Sequence, residues 1–317
     1  MGGTLSRAPL DLTDRVVVIT GGGGGIGSAM ARRCAERGAR VVLVDIRPDA
    51  AAAVAASLPG GAGSAESEDS GDVAGVGATA GRHRVLVGDL TRRADVERIL
   101  AQIAAEHGRI DVLVNNAGMT SADRFDERTV ESIELELTVN LYSPLMFTRL
   151  AIDLLRAAPD PRVVTTVSLG GIFPLGETPI YTASKFGLRG AMLSIALDLR
   201  SKGIIAGSVL PSATDTRMLR QEALDGGNSL QFQDPPQTPE QVAAAMIKLL
   251  DKPRLEVYPR VSESWLVRLA LLVPNQLPRL MPLFRGKGER GQQRYLADLR
   301  KRGLLVTVDG EDRLVEE

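Results

Sequence analysis

The sequence predicts an α/β fold, a doubly wound parallel sheet of seven strands with helices on both faces, and three observations carry that expectation. Short apolar runs alternate with longer segments of helical period along the 317 residues. The runs have no polar alternation, as expected of strands covered on both faces. The first run opens directly into a glycine cluster and then a helix, which is how a doubly wound sheet begins. A chain of this length suits one large domain with appendages, because single cores stop growing at about 250–300 residues.

The strand candidates are Val16–Thr20, Val41–Asp45, Val85–Gly88, Ile110–Asn115, Arg162–Val167, Ile204–Val209 and Leu255–Tyr258. Between the first two, a helix from about Ile26 to Arg37 stops at Gly38. A second helix, Pro48 to Ser57, starts with a proline where the first turn tolerates one. A later helix opens at Thr238-Pro239-Glu240-Gln241, which has the form of a capping box. Residues 58–82 are rich in Gly, Ala, Ser and acids without apolar period, so they are expected to form a flexible insertion. Leading from helix to strand, that insertion falls at the amino ends of the strands, away from the carboxyl ends where such sheets bind ligands. A quiet loop is the expectation, with a partner-binding tether as the alternative. The chain thus divides into residues 1–260, a single catalytic and ligand-binding domain, and an extension over 261–317.

Composition excludes several functions. With 38 basic and 39 acidic side chains the net charge is −1, and no basic stripe exists to neutralise phosphates, so nucleic acid is not expected as a partner. The single cysteine, Cys34, rules out an intramolecular disulfide and falls among apolar helix residues, as a buried structural thiol does. His83 and His107 are expected to be solvated, and neither has metal-site neighbours, so no metal is expected. Met1 to Leu10 lacks a cationic start followed by an apolar stretch, and a cytoplasmic location is the expectation.

The glycine cluster has a concrete physical meaning. In Thr20-Gly21-Gly22-Gly23-Gly24-Gly25-Ile26-Gly27, a pyrophosphate can approach the helix N-terminus only where no side chain intervenes. Asp45 ends the second strand, placed for its carboxylate to accept hydrogen bonds from adenosine ribose hydroxyls. The same charge would repel a 2′-phosphate. No Arg or Lys lies in the loop, Ile46 follows the acid, and Arg47 is the one nearby cation, so NAD is expected in preference to NADP.

Several motifs then occur in order: Thr20 to Gly27, Asp89-Leu90 after the third strand, Asn115-Asn116-Ala117-Gly118 after the fourth, Asn140, Ser168, and Tyr181-Thr182-Ala183-Ser184-Lys185. Over roughly residues 12–260 the set resembles the short-chain dehydrogenase/reductase family, whose sheet is of the Rossmann type. The resemblance implies a secondary alcohol–ketone interconversion with Asn140, Ser168, Tyr181 and Lys185 as catalytic residues. It further implies dinucleotide contacts from Gly21, Gly25, Ile26, Gly27, Asp45, Asp89, Leu90, Asn116, Ala117, Gly118, Tyr181, Lys185, Pro211 and Thr216. Tyr181 would transfer the proton, although a phenol with a free pKa of about 10 is a poor base at neutral pH. Lys185, one turn later on the same helix face, would favour the phenolate and hold the nicotinamide ribose. Ser168 would bond the substrate oxygen, and Asn140 would hold a water linking Lys185 to solvent. One departure is Pro211-Ser212-Ala213-Thr214-Asp215-Thr216, where Ser212 stands in place of the family's usual glycine and puts the backbone freedom of that loop in question.

Residues Leu219–Gln237 resemble the family's mobile lid, and Phe173, Pro174 and Leu175 suggest an apolar, lipid- or steroid-like substrate. The helices over Asn140–Ala158 and Tyr181–Arg200 imply, by the same resemblance, a homodimer or homotetramer. A dinucleotide-binding protein without turnover and an NADP-dependent carbonyl reductase are the rival readings.

The extension starts with the apolar Trp265–Val273 and continues to about Phe284. Arg268 and Arg279 interrupt this stretch, and Pro274, Pro278 and Pro282 are expected to break any helix, so no membrane span is expected. Three covers remain open: the substrate mouth, a partner subunit, or a peripheral membrane contact through residues 264–285. Further on, Leu304–Val308 and Glu311–Val315 flank Asp309-Gly310, a two-residue hairpin signal.

Overall fold

Beside β1 (Val16–Thr20) lie two parallel neighbours, β2 (Arg40–Asp45) on one side and β5 (Val112–Asn115) on the other. In the computed structural model, which describes residues 9–61, 79–121, 123–261, 272, 274–308 and 311–315, the sheet continues outward from this pair. β4 (His83–Val87) lies beyond β2; beyond β5 come β6 (Arg162–Thr166), β7 (Ile205–Val209) and β8 (Glu256–Val257). These are the seven expected parallel strands. An eighth, β3 (Thr79–Ala80), is a two-residue antiparallel addition to the edge at β4.

Alternate residues of β1 point to opposite layers, as the period of two requires. Val17 and Ile19 join a core with Met30 and Cys34 of α1 (Gly25–Glu36), Ala51 of α2 (Pro48–Ser57), and Met246 of α9 (Pro239–Asp251). Val16 and Val18 join another with Ile99 of α3 (Arg93–His107), Phe147 of α5 (Ser143–Leu150) and Leu188 of α7 (Pro179–Arg200). Between α3 and α7 the chain runs through α4 (Val130–Leu137), a π-helical turn (Thr138–Tyr142), α5 and α6 (Ile152–Arg156). Cys34 is fully buried, and burial pushes its thiol up to about 12. The capping box at Thr238 and Gln241 is present in both directions.

Several sequence expectations need correction. His83 is buried rather than solvated: its Nδ1 accepts from Val41 N at 3.2 Å, its Nε2 lies 3.0 Å from Pro59 O, and burial lowers its pKa. His107 is also mostly enclosed, with its side chain 15% exposed and its pKa lowered by burial. The insertion is not a loop throughout, since Leu58 is buried in the α1–α2 layer and its last residues supply β3. Residues 62–78 lie outside the described residues.

In the extension, α10 (Leu277–Lys301) runs unbroken through Pro282, with Pro278 in its first turn. Proline at a helix start lacks only an N–H that has no intrahelical partner. The hairpin forms as expected: β9 (Leu305–Val308) pairs antiparallel with β10 (Glu311–Leu314), and Val308 opposes Glu311. Trp265–Val273 falls outside the described residues except Leu272, and no described helix is long and apolar enough to cross a membrane. A third apolar cluster joins Tyr295, Leu299 and Leu305 of the extension to Ala213, Leu219, Ala223 and Phe232 of the sheet domain.

Candidate active site

The strand order reverses between β1 and β5, and the chain after each strand diverges there to leave a crevice. One cleft of about 1330 Å³ opens at these carboxyl ends, more than a single drug-sized ligand needs. Its floor is fixed by the hydroxyl of Thr20, which donates to Val114 O at 3.3 Å and accepts from Asn116 N at 2.9 Å and Ala117 N at 3.1 Å. Asn116 returns the connection through its amide, donating to Gly21 O at 3.3 Å and accepting from Thr166 Oγ1 at 3.1 Å.

Two glycines of the loop are required by space. Gly21 has φ +65°, and a Cβ there would stand 2.9 Å from Ala117 Cα; at Gly27 it would stand 2.2 Å from Gly21 O. The loop therefore folds back on itself and leaves the start of α1 bare, with no side chain capping its first turn. Gly21, Gly24, Gly25 and Ile26 line the cleft, while Gly27 lies behind them. Uncapped N–H groups at a helix start, with glycine in front of them, fit a diphosphate. Asp45 is buried at the next strand end, its Oδ2 accepting from Gly23 N at 2.8 Å and its Oδ1 from Arg47 N at 3.0 Å. Arg47 Nε stays 3.8 Å from the same carboxylate. Asp89 and Leu90 line the cleft beside it, with Asp89 Oδ1 held by Thr91.

At the other end stand Ser168, Tyr181 and Lys185, all lining the cleft with Gly118, Pro211 and Thr216. Ser168 follows β6 and its Oγ accepts from Gly170 N at 3.0 Å. Burial pushes the Tyr181 hydroxyl up to about 12, against a hydrogen bond with Ser168 that pulls it down and the charges of Glu222 and Glu136 that push it further up. Lys185 lies one turn on, its Nζ 5.6 Å from the Tyr181 ring centroid and 3.5 Å from Thr166 O. Burial brings its ammonium down to about 8, against the charge of Glu136.

Asn140 is fully buried behind Gly118, in the π-helical turn. Its Oδ1 accepts from Met119 N at 2.9 Å; its Nδ2 donates to Met119 O at 2.8 Å and to Ser184 Oγ at 3.2 Å. The amide thus braces the strand-end loop against α7. Ser212 keeps ordinary backbone geometry, since among the described residues only Asp14 is a non-glycine at positive φ. Its hydroxyl bonds Gln237, so that loop does not need the glycine's freedom.

Three features carried no recognisable sequence signal. Arg128 and Glu136 form a fully buried pair at 2.6 Å beneath the site, and burial raises the Glu136 pKa against that partner. Glu222 lines the cleft from α8 (Arg217–Leu224). The third is the wall formed by the extension. The expected lid over Leu219–Gln237 consists of the end of α8 and a 3₁₀ turn (Ser229–Phe232), and α10 lies directly on it. Gln292 Nε2 donates to Ala223 O at 2.9 Å, Tyr295 stacks on Phe232 with centroids 5.4 Å apart, and Tyr295 OH donates to Asp215 Oδ1 at 2.7 Å. Arg285, Glu289 and Gln292 of α10 line the cleft and make the extension one of its walls, whereas the apolar Trp265–Val273 lies outside the described residues except for Leu272. Phe173, Pro174 and Leu175 are not in the lining; Glu177 of the same segment is.

Comparisons with known proteins agree with this geometry. The family profile described as short chain dehydrogenase matches residues 15–225. The D-threitol dehydrogenase of Mycolicibacterium smegmatis is 29% identical over 243 residues, covering 75% of this chain and 86% of that protein. The 3beta-hydroxysteroid dehydrogenase of Mediterraneibacter gnavus is 28% identical over 217 residues, covering 67% and 70%. The crystal structure of levodione reductase superposes with a TM-score of 0.67 at 25% identity, covering 80% of this chain and 99% of that one.

The contact of α10 with the lid depends on glycine. A Cβ at Gly291 would stand 1.9 Å from Phe232 O, and one at Gly288 2.3 Å from Ser229 O. Glycine to alanine in an open helix stabilises by about 1 kcal/mol, and Gly286→Ala, whose Cβ would meet only Arg290 at 3.6 Å, should do so. Gly291→Ala should instead destabilise by about 1–3 kcal/mol through overpacking. Urea unfolding compares the two, and a stabilised Gly291→Ala would mean that α10 does not rest on the lid.

Proposed function

The chain belongs to the short-chain dehydrogenase family, and from that premise we propose that it is an NAD-dependent oxidoreductase interconverting a secondary alcohol and a ketone. The observation that carries the reading is the convergence of Ser168, Tyr181 and Lys185 on the cleft that also receives the glycine loop. Bound NAD supplies the acceptor or donor of hydride. The chain supplies orientation and the proton. Tyr181, protonated at neutral pH by virtue of its buried site, gives its proton to the carbonyl oxygen in reduction and takes one from the hydroxyl in oxidation. Ser168 holds that same oxygen. Lys185 holds the nicotinamide ribose and, once brought toward the phenol, favours the phenolate. Asn140 fixes the Met119 backbone beside them, and in this reading it holds a water that links Lys185 to solvent.

The pairing of Arg47 with Asp45 supports NAD over NADP, because that cation is already matched by a carboxylate. An apolar substrate body is supported by Met119, Leu135, Val139, Met218 and Leu219 in the lining. Residues 1–260 act in this reading as the catalytic domain and 261–317 as an extension to it, in a cytoplasmic enzyme. Assembly as a homodimer or homotetramer is supported by the exposed Tyr142, Phe186 and Leu197 on the helices of the 140–158 and 181–200 segments.

Tyr181→Phe should lose nearly all turnover while NAD binding stays within a few fold; substantial turnover would sink the proton-transfer role. Initial rates at equal concentrations should favour NAD over NADP, with Asp45→Ala narrowing the gap; a native preference for NADP would assign the ribose end to Arg47. Light scattering at micromolar concentration should report a dimer or tetramer, and a monomer alone would refute the assembly.

A further inference from the structure

One buried acid stands at the cleft outside the Ser168, Tyr181 and Lys185 set. Glu222 lines the cleft from α8 and is 7% exposed. Its Oε1 accepts from the side chain of Gln231. Burial raises its pKa to about 7, against hydrogen bonds from the Gln231 side chain and the Asn228 backbone. Glu222 and Tyr181 line the same cleft, and the charge of the acid acts on the phenol.

The position of this carboxyl is set before any substrate arrives. Gly227 N donates to Glu222 O at 2.8 Å, and a Cβ at Gly227 would stand 2.4 Å from Glu222 Cγ, so the chain closes over the side chain only because residue 227 is glycine. The adjoining Ala223 is tied to α10 by Gln292. Preset polar groups of this kind select ligands, because they need no reordering when the ligand binds.

An ionised carboxylate offers about four acceptor sites, more than the two bonds within the lid use, and the residue that carries it lines the cleft. A purely apolar ligand would remove water from that unused capacity and give nothing back, which costs about 1–3 kcal/mol. A hydroxyl at that place would satisfy it. We infer that Glu222 is a specificity-determining residue that accepts a hydrogen bond from a second hydroxyl of the substrate, remote from the carbon held at Ser168 and Tyr181. The substrate class is then an apolar-bodied diol and its hydroxyketone, and this inference rests on the oxidoreductase reading above.

The test compares cyclohexanol with the 1,2-, 1,3- and 1,4-cyclohexanediols in wild type, Glu222→Gln and Glu222→Met. Turnover is read with NAD, and thermal stabilisation by each alcohol is read separately on the NAD-bound protein. At least one diol should exceed cyclohexanol in kcat/KM by about tenfold. In Glu222→Met that ratio should fall by about tenfold, mainly through KM, as expected for binding lost equally from ground and transition states. Glu222→Gln, which keeps an acceptor for Gln231, should fall between. A purely structural Glu222 would instead lower the melting temperature and reduce all four alcohols together, leaving the ratio unchanged and overturning the inference. Absence of diol-specific stabilisation in the wild type would also overturn it. Diol-specific stabilisation without turnover would uphold the subsite and sink the oxidoreductase reading.

Discussion

One hydroxyl ties the chain leaving β1 to the chain leaving β5 at the floor of the cleft. Thr20 Oγ1 bonds the end of β1 to three backbone groups at the end of β5, and everything on the cleft floor is positioned from that junction. The glycine loop leaves β1 on one side of it, and Asn116, Ala117 and Gly118 leave β5 on the other. The bonds form in an interior where Thr20 is 2% exposed, so water does not compete for them. Close contact of Gly21 with Ala117 then leaves no room for a side chain, and the bare start of α1 follows from that packing.

Burial governs the electrostatics around Tyr181 and Lys185. The Tyr181 phenol is pushed up and the Lys185 ammonium down, so burial works against the charged forms of both. The opposing influence on Lys185 comes from Glu136, itself paired with Arg128 at zero exposure. Removing one member of such a pair leaves an uncompensated buried charge, which costs several kcal/mol. The pair therefore couples the integrity of α4 to the charge state of Lys185, although neither residue reaches the cleft.

The sheet was legible because its strands are buried on both faces and read as continuous apolar runs, and the glycine loop because its spatial demand leaves few residue choices. The hairpin at 305–314 followed from turn chemistry in the same local way. His83 was misread because its partners, Val41 N and Pro59 O, come from other segments that no local pattern connects to it. The break expected at Pro282 did not occur, and α10 continues through it to Lys301. Glu222 looked like one polar residue in a polar lid. Its surroundings are set by Gly227 folding over it and by Gln292, which bonds the adjoining Ala223 from 69 residues further along, contacts that only the tertiary structure contains.

The chain's single cysteine lies on the inner face of α1, the helix whose opposite end faces the diphosphate site. Since its thiol is held at about 12 and shut away from solvent, it cannot be modified at a rate set by ordinary thiol reactivity. Modification has to wait until α1 lifts from the sheet, so the rate at which a thiol reagent is consumed is a clock for local opening of that layer. A ligand gripping the start of α1 would slow the clock by as much as it favours the closed form. Cys34 thus makes dinucleotide occupancy readable from sulfur chemistry on the far side of the helix, with no probe introduced.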